Sequence, residues 1–218
     1  CIYIPHNLGF CDHLEESIFP FETLSTEYIV TAPLIPTGGQ TAKVEFVRIV
    51  ATTDNTTLTY DPPQAGAATT IAQAGLWVEL ASNASDFAVT SNHPVLVVQY
   101  MTGQQAGGNS GDPSMTIAVA KDQYRDDYLF HAPTNYDYSY ANITAPTGAT
   151  VTIDGVMVGG FTPIGNSGYS IARTSLSNAG NGNHQAVGSA PFGISVYGYG
   201  QYTSYWYPGG SNLTKLHE

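Results

Sequence analysis

Residues able to do chemistry are scattered along this chain, and their spacing decides which chemistries stay open. Ser110 lies in "GNSGD", which superficially resembles the nucleophile loop of trypsin-like serine proteases. A serine nucleophile needs a histidine base held by a carboxylate. Here Ser110 stands mid-chain with no alanine-rich His-Cys segment before it, and its Gly and Asn neighbours are turn formers rather than a preorganised oxyanion hole. The six histidines, His6, His13, His93, His131, His184 and His217, include no pair at zinc-ligand spacing and no H-E-x-x-H. Paired carboxylates for glycoside hydrolysis need a defined separation across a sugar, which no motif in this chain supplies. The expectation is a non-enzyme, with a hydrolase on an unfamiliar β scaffold as the weakest alternative.

Two kinds of residue remain as binding candidates. Asp112, Asp122, Asp126 and Asp127, and separately Asp12 with Glu15 and Glu16, are hard oxygen donors of the type that holds calcium, although no EF-hand or nonapeptide pattern accompanies them. No cofactor is expected beyond such a calcium ion, and a solvated acidic loop is the plainer interpretation. The second kind is aromatic: "VYGYGQYTSYWYPGG" interleaves Tyr197, Tyr199, Tyr202, Tyr205, Trp206 and Tyr207 with Gly and Ser. Such rings give large contact area at low entropy cost, yet they serve equally to seal a seam between units. Seam packing is the favoured of these two readings. "GDPSM" and "QYRDDYLF" add Asp112, Tyr124 and Arg125, so the candidate ligand-binding set is Asp112, Tyr124, Arg125, Tyr202, Tyr205 and Trp206.

The elements that must position these residues are strands. Only 11% of the 218 residues are charged, and Gly, Thr, Ser, Asn, Tyr and Val abound, which favours pleated strands and tight turns. The net charge of -11, with six Lys plus Arg residues scattered singly, excludes a cationic surface for nucleic acid. No apolar run is long enough for a membrane-spanning helix, and no signal-peptide pattern opens the chain, which reads as an excised mature fragment.

Internal repetition divides the length. "EYIVTAP" from Glu27, "ATTDNTTLTYD" ending at Asp61 and "FAVTSNHPVLVVQY" ending at Tyr100 are answered in order. The answering pieces are "DYLFHAP" from Asp127, "TAPTGATVTIDG" ending at Gly155 and "HQAVGSAPFGISVYGY" ending at Tyr199. Leu58 and Tyr60, like Val151 and Ile153, alternate with polar residues as half-buried strands do. Asp154-Gly155 is a two-residue hairpin signal. The reading is all-β: two tandem, related antiparallel β-sandwich units packed together. Their expected bounds are an N-terminal disulfide loop at 1–25, a first unit at 26–104, a junction at 105–126 containing "MTIAVA" as a candidate strand, and a second unit at 127–218.

Cys1 and Cys11 have the spacing of a small disulfide-closed loop, two free thiols being the alternative. Sequons at Asn55, Asn83, Asn142 and Asn212 fit the surface of a secreted glycoprotein. Together with the pieces "CDHLEES", "GDPSM", "DQYRDDYLF", "ITAPTGATVTIDG" and "APFGISVYGYGQYTSYWYPGG", the chain resembles the IgGFc-binding protein N-terminal domain family, covering the C-terminal portion of its unit. That resemblance implies a secreted or cell-surface, non-catalytic module within a longer adhesive or mucus-like protein, with Fc binding confined to some animal members. The expected partner is a glycan or extracellular protein, with self-association into a filament or stalk as the alternative, and neither nucleic acid nor membrane insertion.

Overall fold

The computed structural model describes residues 1–36, 39–107 and 109–217. Thr-, Val- and Tyr-rich segments form two antiparallel sheets. The first holds β1 (Ser25–Val30), β2 (Glu45–Ala51), β3 (Thr56–Asp61), β4 (Thr70–Ile71), β5 (Trp77–Asn83), β6 (Phe87–Met101) and β7 (Ser114–Ile117). The second holds β8 (Arg125–His131), β9 (Tyr138–Pro146), β10 (Val151–Ile153), β11 (Val156–Met157), β12 (Thr162–Pro163), β13 (Tyr169–Ser175), β14 (Asn183–Gly200) and β15 (Thr203–Pro208). The chain is all-β, with two curled sheets packed together. Among the described residues no helix is long and apolar enough to cross a membrane.

One long strand organises each sheet. The first half of β6 lies between β1 and β3, and its second half between β2 and β7. β14 does the same with β8 and β10, then with β9 and β15. In each sheet the outer strand β5 or β13 adds to β2 or β9. The internal repeat is therefore a repeat of pairing topology. It also explains why Ser114–Ile117, inside the stretch read as a junction, joins the first sheet: it pairs with β6 where β15 pairs with β14.

A tyrosine ties each long strand where it changes partners. The Tyr28 hydroxyl donates to the Val95 carbonyl (2.7 Å) and accepts the Ser25 N–H (3.1 Å). One hundred residues on, the Tyr128 hydroxyl donates to the Phe192 carbonyl and accepts the Arg125 N–H (2.9 Å). Both rings are buried, so each hydroxyl satisfies two backbone groups that water cannot reach.

Each unit encloses its own core, Val30, Val47, Ile49, Phe87, Val89 and Val97 in the first, and Phe130, Ile143, Val151, Phe192, Ile194 and Val196 in the second. Two smaller clusters bridge them. Leu34 and Met101 meet Tyr140, Tyr197, Tyr199 and Trp206, while Ile29 meets Ile164 and Ile171.

Local turn chemistry acts as the sequence implies. Ile153 pairs with Val156 across Asp154-Gly155, whose φ angles of 52° and 77° are the left-handed pair that a type I′ turn requires. Cys1 and Cys11 form the disulfide.

Because Tyr28→Phe or Tyr128→Phe strands a buried N–H and a carbonyl, each substitution should lower the unfolding free energy by about 1–3 kcal/mol in denaturant melts. An unchanged midpoint in both would show that these hydroxyls do not tie the strands. At the hairpin, Asp154 Oδ2 lies 2.7 Å from His184 Nδ1 and Oδ1 accepts the Gln185 N–H (3.0 Å). Partial burial pulls the carboxyl up, but these contacts hold it below its ordinary value of 3.8. A depressed carboxyl stabilises above its unfolded pKa and loses that contribution as pH falls through the folded one. Asp154→Asn keeps a residue suited to the turn, so its melting temperature should fall below that of the unaltered chain at pH 7, and the gap should close on acidification. A gap that persists at acid pH would place the effect outside the carboxylate.

Candidate functional site

The aromatic run on β14 and β15 mostly faces inward. Tyr197 is fully buried; its hydroxyl accepts the Leu34 N–H (2.9 Å) and donates to Asn142 Oδ1 (2.9 Å). Tyr199 donates to the Leu34 carbonyl (2.7 Å), and Tyr140 to that of Pro36 (2.9 Å). Burial raises the pKa of Tyr197 and Tyr199, so both stay protonated donors. Trp206 Nε1 donates to Ser195 Oγ (2.6 Å) in the same layer.

Three of the six candidate ligand residues lie inside the molecule. Trp206 is spent on the seam. Tyr124 is buried edge-on to Tyr169 and against Gly193, whose missing Cβ would stand 2.6 Å from the ring. Asp112 is 5% exposed, with its N–H donating to Ser204 Oγ (3.0 Å). The other three stand apart. Arg125 is exposed and turns its Nε to the Asp127 carbonyl (3.1 Å). Tyr205 is half-buried, donating to Ser139 Oγ (3.0 Å). Tyr202, 57% exposed, stacks on Phe10 and lines a polar cleft with Ser110, Asp137 and Tyr138. In that cleft Ser110 Oγ donates weakly to the Gly200 carbonyl (3.4 Å).

The sequon asparagine Asn142 also lies inside. Its Nδ2 donates to Thr31 Oγ1 (3.1 Å) and to the Ala32 carbonyl (3.0 Å) at 1% exposure. Asn55 and Asn212 are exposed, whereas Asn83 is half-buried and donates to Gln64 Oε1 (2.8 Å). The acidic residues weighed for calcium do not converge. Asp122 accepts Ser25 Oγ–H (2.6 Å), Asp127 accepts from Gln185 (3.2 Å), and among the described residues no group of three His, Cys, Asp or Glu could hold a metal.

A different constellation sits on the outer face of the first sheet. β2 alternates buried Glu45, Val47, Ile49 and Ala51 with half-buried Phe46, Arg48 and Val50. The register sets Arg48 opposite Glu79 and Val50 opposite Trp77, while Phe46 pairs with Tyr100 and Tyr100 with Met115. Arg48 thus has its guanidinium 5.0 Å from the Trp77 ring centre and 5.4 Å from that of Tyr100. Glu79 Oε2 accepts from both Nε (3.2 Å) and Nη2 (2.7 Å). The disulfide loop leans over this face, and Tyr3, Pro5, His6 and Leu14 join Phe46, Arg48, Glu79, Tyr100 and Met115 around a cleft of about 560 Å³.

The sequence held two signals for this site. Trp77 is one of only two tryptophans, and "EFVRIVA" puts Phe46 and Arg48 on the strand face opposite the core. Neither signal says that three strands and a loop converge there.

No curated protein and no solved structure matches the chain. Residues 1–198 match the family model described as IgGFc binding protein, and on that coverage the chain belongs to the IgGFc-binding protein family.

Proposed function

We propose that this chain is a non-catalytic, extracellular binding or adhesion module of a larger secreted protein, and that it takes a glycan or surface protein in the Arg48 cleft. The observation that carries the reading is the Trp77–Arg48–Tyr100 stack fixed by Glu79 at the cleft mouth. A guanidinium clamped between rings and a carboxylate has little rotamer freedom left to lose on binding. Trp77, 53% exposed, offers a flat apolar face beside it, the mixture of stacking surface and planar donors that suits pyranose rings and protein side chains alike. The family is named for a binding protein, and the disulfide suits an oxidising exterior.

The test is binding of the purified chain to a glycan array, to immobilised mucin and to immobilised immunoglobulin Fc. For whichever probe binds, Trp77→Ala and Arg48→Lys should each weaken affinity by at least about tenfold, as truncation of a contact anchor does. Tyr202→Ala should leave it unchanged. The reverse pattern would move the ligand to the Tyr202 cleft and overturn this assignment.

A second reading, a structural unit that self-associates, has its own observation. Met157, Thr152 and Val187 lie in one register row on the second sheet, Met157 being 61% exposed, and Leu129 on neighbouring β8 is 78% exposed. Concentration-dependent oligomers that Leu129→Lys abolishes would favour it.

A further inference from the structure

The internal repeat equates the Arg48 face of the first sheet with the seam face of the second. Tyr28 and Tyr128 tie their long strands at Val95 and Phe192, which aligns the two units. Counted from those ties, Tyr100 corresponds to Tyr197, Val98 to Ser195 and Leu96 to Gly193. The strand registers then match row for row. Phe46, Tyr100 and Met115 correspond to Tyr140, Tyr197 and Trp206. Arg48 and Glu79 correspond to Asn142 and Arg173, and Trp77 corresponds to Ile171.

In the second unit these rows grip the first. Tyr140 and Tyr197 hold the Pro36 carbonyl and the Leu34 N–H, Asn142 reaches Thr31, Arg173 pairs with Asp86, and Ile171 meets Ile29. In the first unit the same face is only partly filled. Tyr3, Pro5 and His6 of the disulfide loop line the cleft with Phe46, Tyr100 and Met115. Beyond them Glu79 and Trp77 are exposed, Trp77 at the place that buried Ile171 holds in the other unit.

The opposite half of the seam is also left over. "EYIVTAP" from Glu27, which the seam covers, returns as "DYLFHAP" from Asp127, so Leu129 corresponds to Ile29 and His131 to Thr31. Val30 pairs with Phe87 and Phe130 with His184, which equates Asp86 with Asn183. Ile29, Thr31, Thr116 and Ala118 line a narrow seam cavity of about 40 Å³, closed from the other side by Thr144, Gly193 and Ser195. Their counterparts Leu129, His131, Tyr207 and Gly209 line an open cleft of about 730 Å³. One chain therefore carries an unfilled seam face on its first unit and an uncovered seam edge on its second. Stacked repeats bury such surfaces against neighbours of their own kind.

We propose that a second copy of this chain docks head to tail, its 129–131 edge seated on the Arg48 face, a proposal that rests on the reading of that cleft as a binding site. Leu129 of the second copy covers the Trp77 ring as Ile29 covers Ile171. Arg48 meets His131 as Asn142 meets Thr31. The Arg173–Asp86 pair of the seam becomes Glu79 with Asn183, a carboxylate facing an amide. Both groups have an atom to give: Arg48 takes only Glu79 Oε2, and His131 Nδ1 takes Asn183 Oδ1, which leaves Oε1 and Nδ2 for each other. The two surfaces differ, so the contact is heterologous and each added copy leaves one face and one edge open.

Sedimentation velocity of the purified chain over rising concentration tests this. The weight-average mass should climb above that of one copy. Trp77→Ala and Leu129→Lys should each weaken association at least about tenfold, as loss of a contact anchor does. Both side chains are exposed, so neither change opens a core. An equimolar mixture separates head-to-tail docking from other contacts. Trp77→Ala keeps the 129–131 edge and Leu129→Lys keeps the Arg48 face, so together they should form dimers that grow no further. A mixture that stays monomeric, while both variants keep the melting temperature of the unaltered chain, would overturn the docking. So would an unaltered chain that is monomeric up to millimolar concentration. In that case, a glycan, mucin or Fc probe lost in Trp77→Ala would keep the Arg48 cleft as a binding site with that probe as its occupant. A bound probe indifferent to Trp77→Ala would remove both readings.

Discussion

Asn142 sits where the two sheets meet, and the relative placement of the units depends on its buried amide. Nδ2 reaches Thr31 and Ala32 of the first unit, while Oδ1 accepts from Tyr197 of the second. Arg173 adds a second clasp, donating to the Ala32 carbonyl (2.9 Å) and pairing with Asp86. Polar groups buried this deeply are tolerable only when every one is paired, so a shift of one unit against the other would strand several at once. The apolar clusters around Leu34 and Ile29 give the seam its area, and this network gives it one geometry.

That seam settles the use of the tyrosine-rich tail. Tyr197 and Tyr199 are spent joining the units, their hydroxyls paired with backbone and amide partners. What remains open is the outer surface of the first sheet, where an arginine is held between two rings beside the disulfide loop. Rigid strands carry the contact groups and a cross-linked loop shapes the cleft, an arrangement that loses little entropy on binding.

The candidate site was less legible than the fold. Asp112, Tyr124 and Trp206 are polar or amphipathic residues in Gly-rich segments, a pattern that describes a paratope and a packed seam equally well. They lie inward because each meets a residue of β14 or β15: Ser204 for Asp112, Gly193 for Tyr124, Tyr197 for Trp206. Arg48, by contrast, lies in an ordinary alternating strand, and nothing near it in sequence announces Trp77, Tyr100 or the loop.

By itself the sequence determined what local physics controls. Period-two alternation and β-branched content set the all-β class, and Asp154-Gly155 set its hairpin through the φ angles that glycine allows. The near-hundred-residue repeat set two copies of one pairing pattern, down to the tyrosines at 28 and 128. Cys1 and Cys11 were close enough in chain to meet. Tertiary structure alone decided which face of β14 turns inward, that the Asn142 amide clasps the two units, and that Lys43, Glu45 and Asp112 are buried. Each of these depends on side chains from segments far apart in sequence meeting across a seam. Neither alternation nor turn chemistry carries information over that distance.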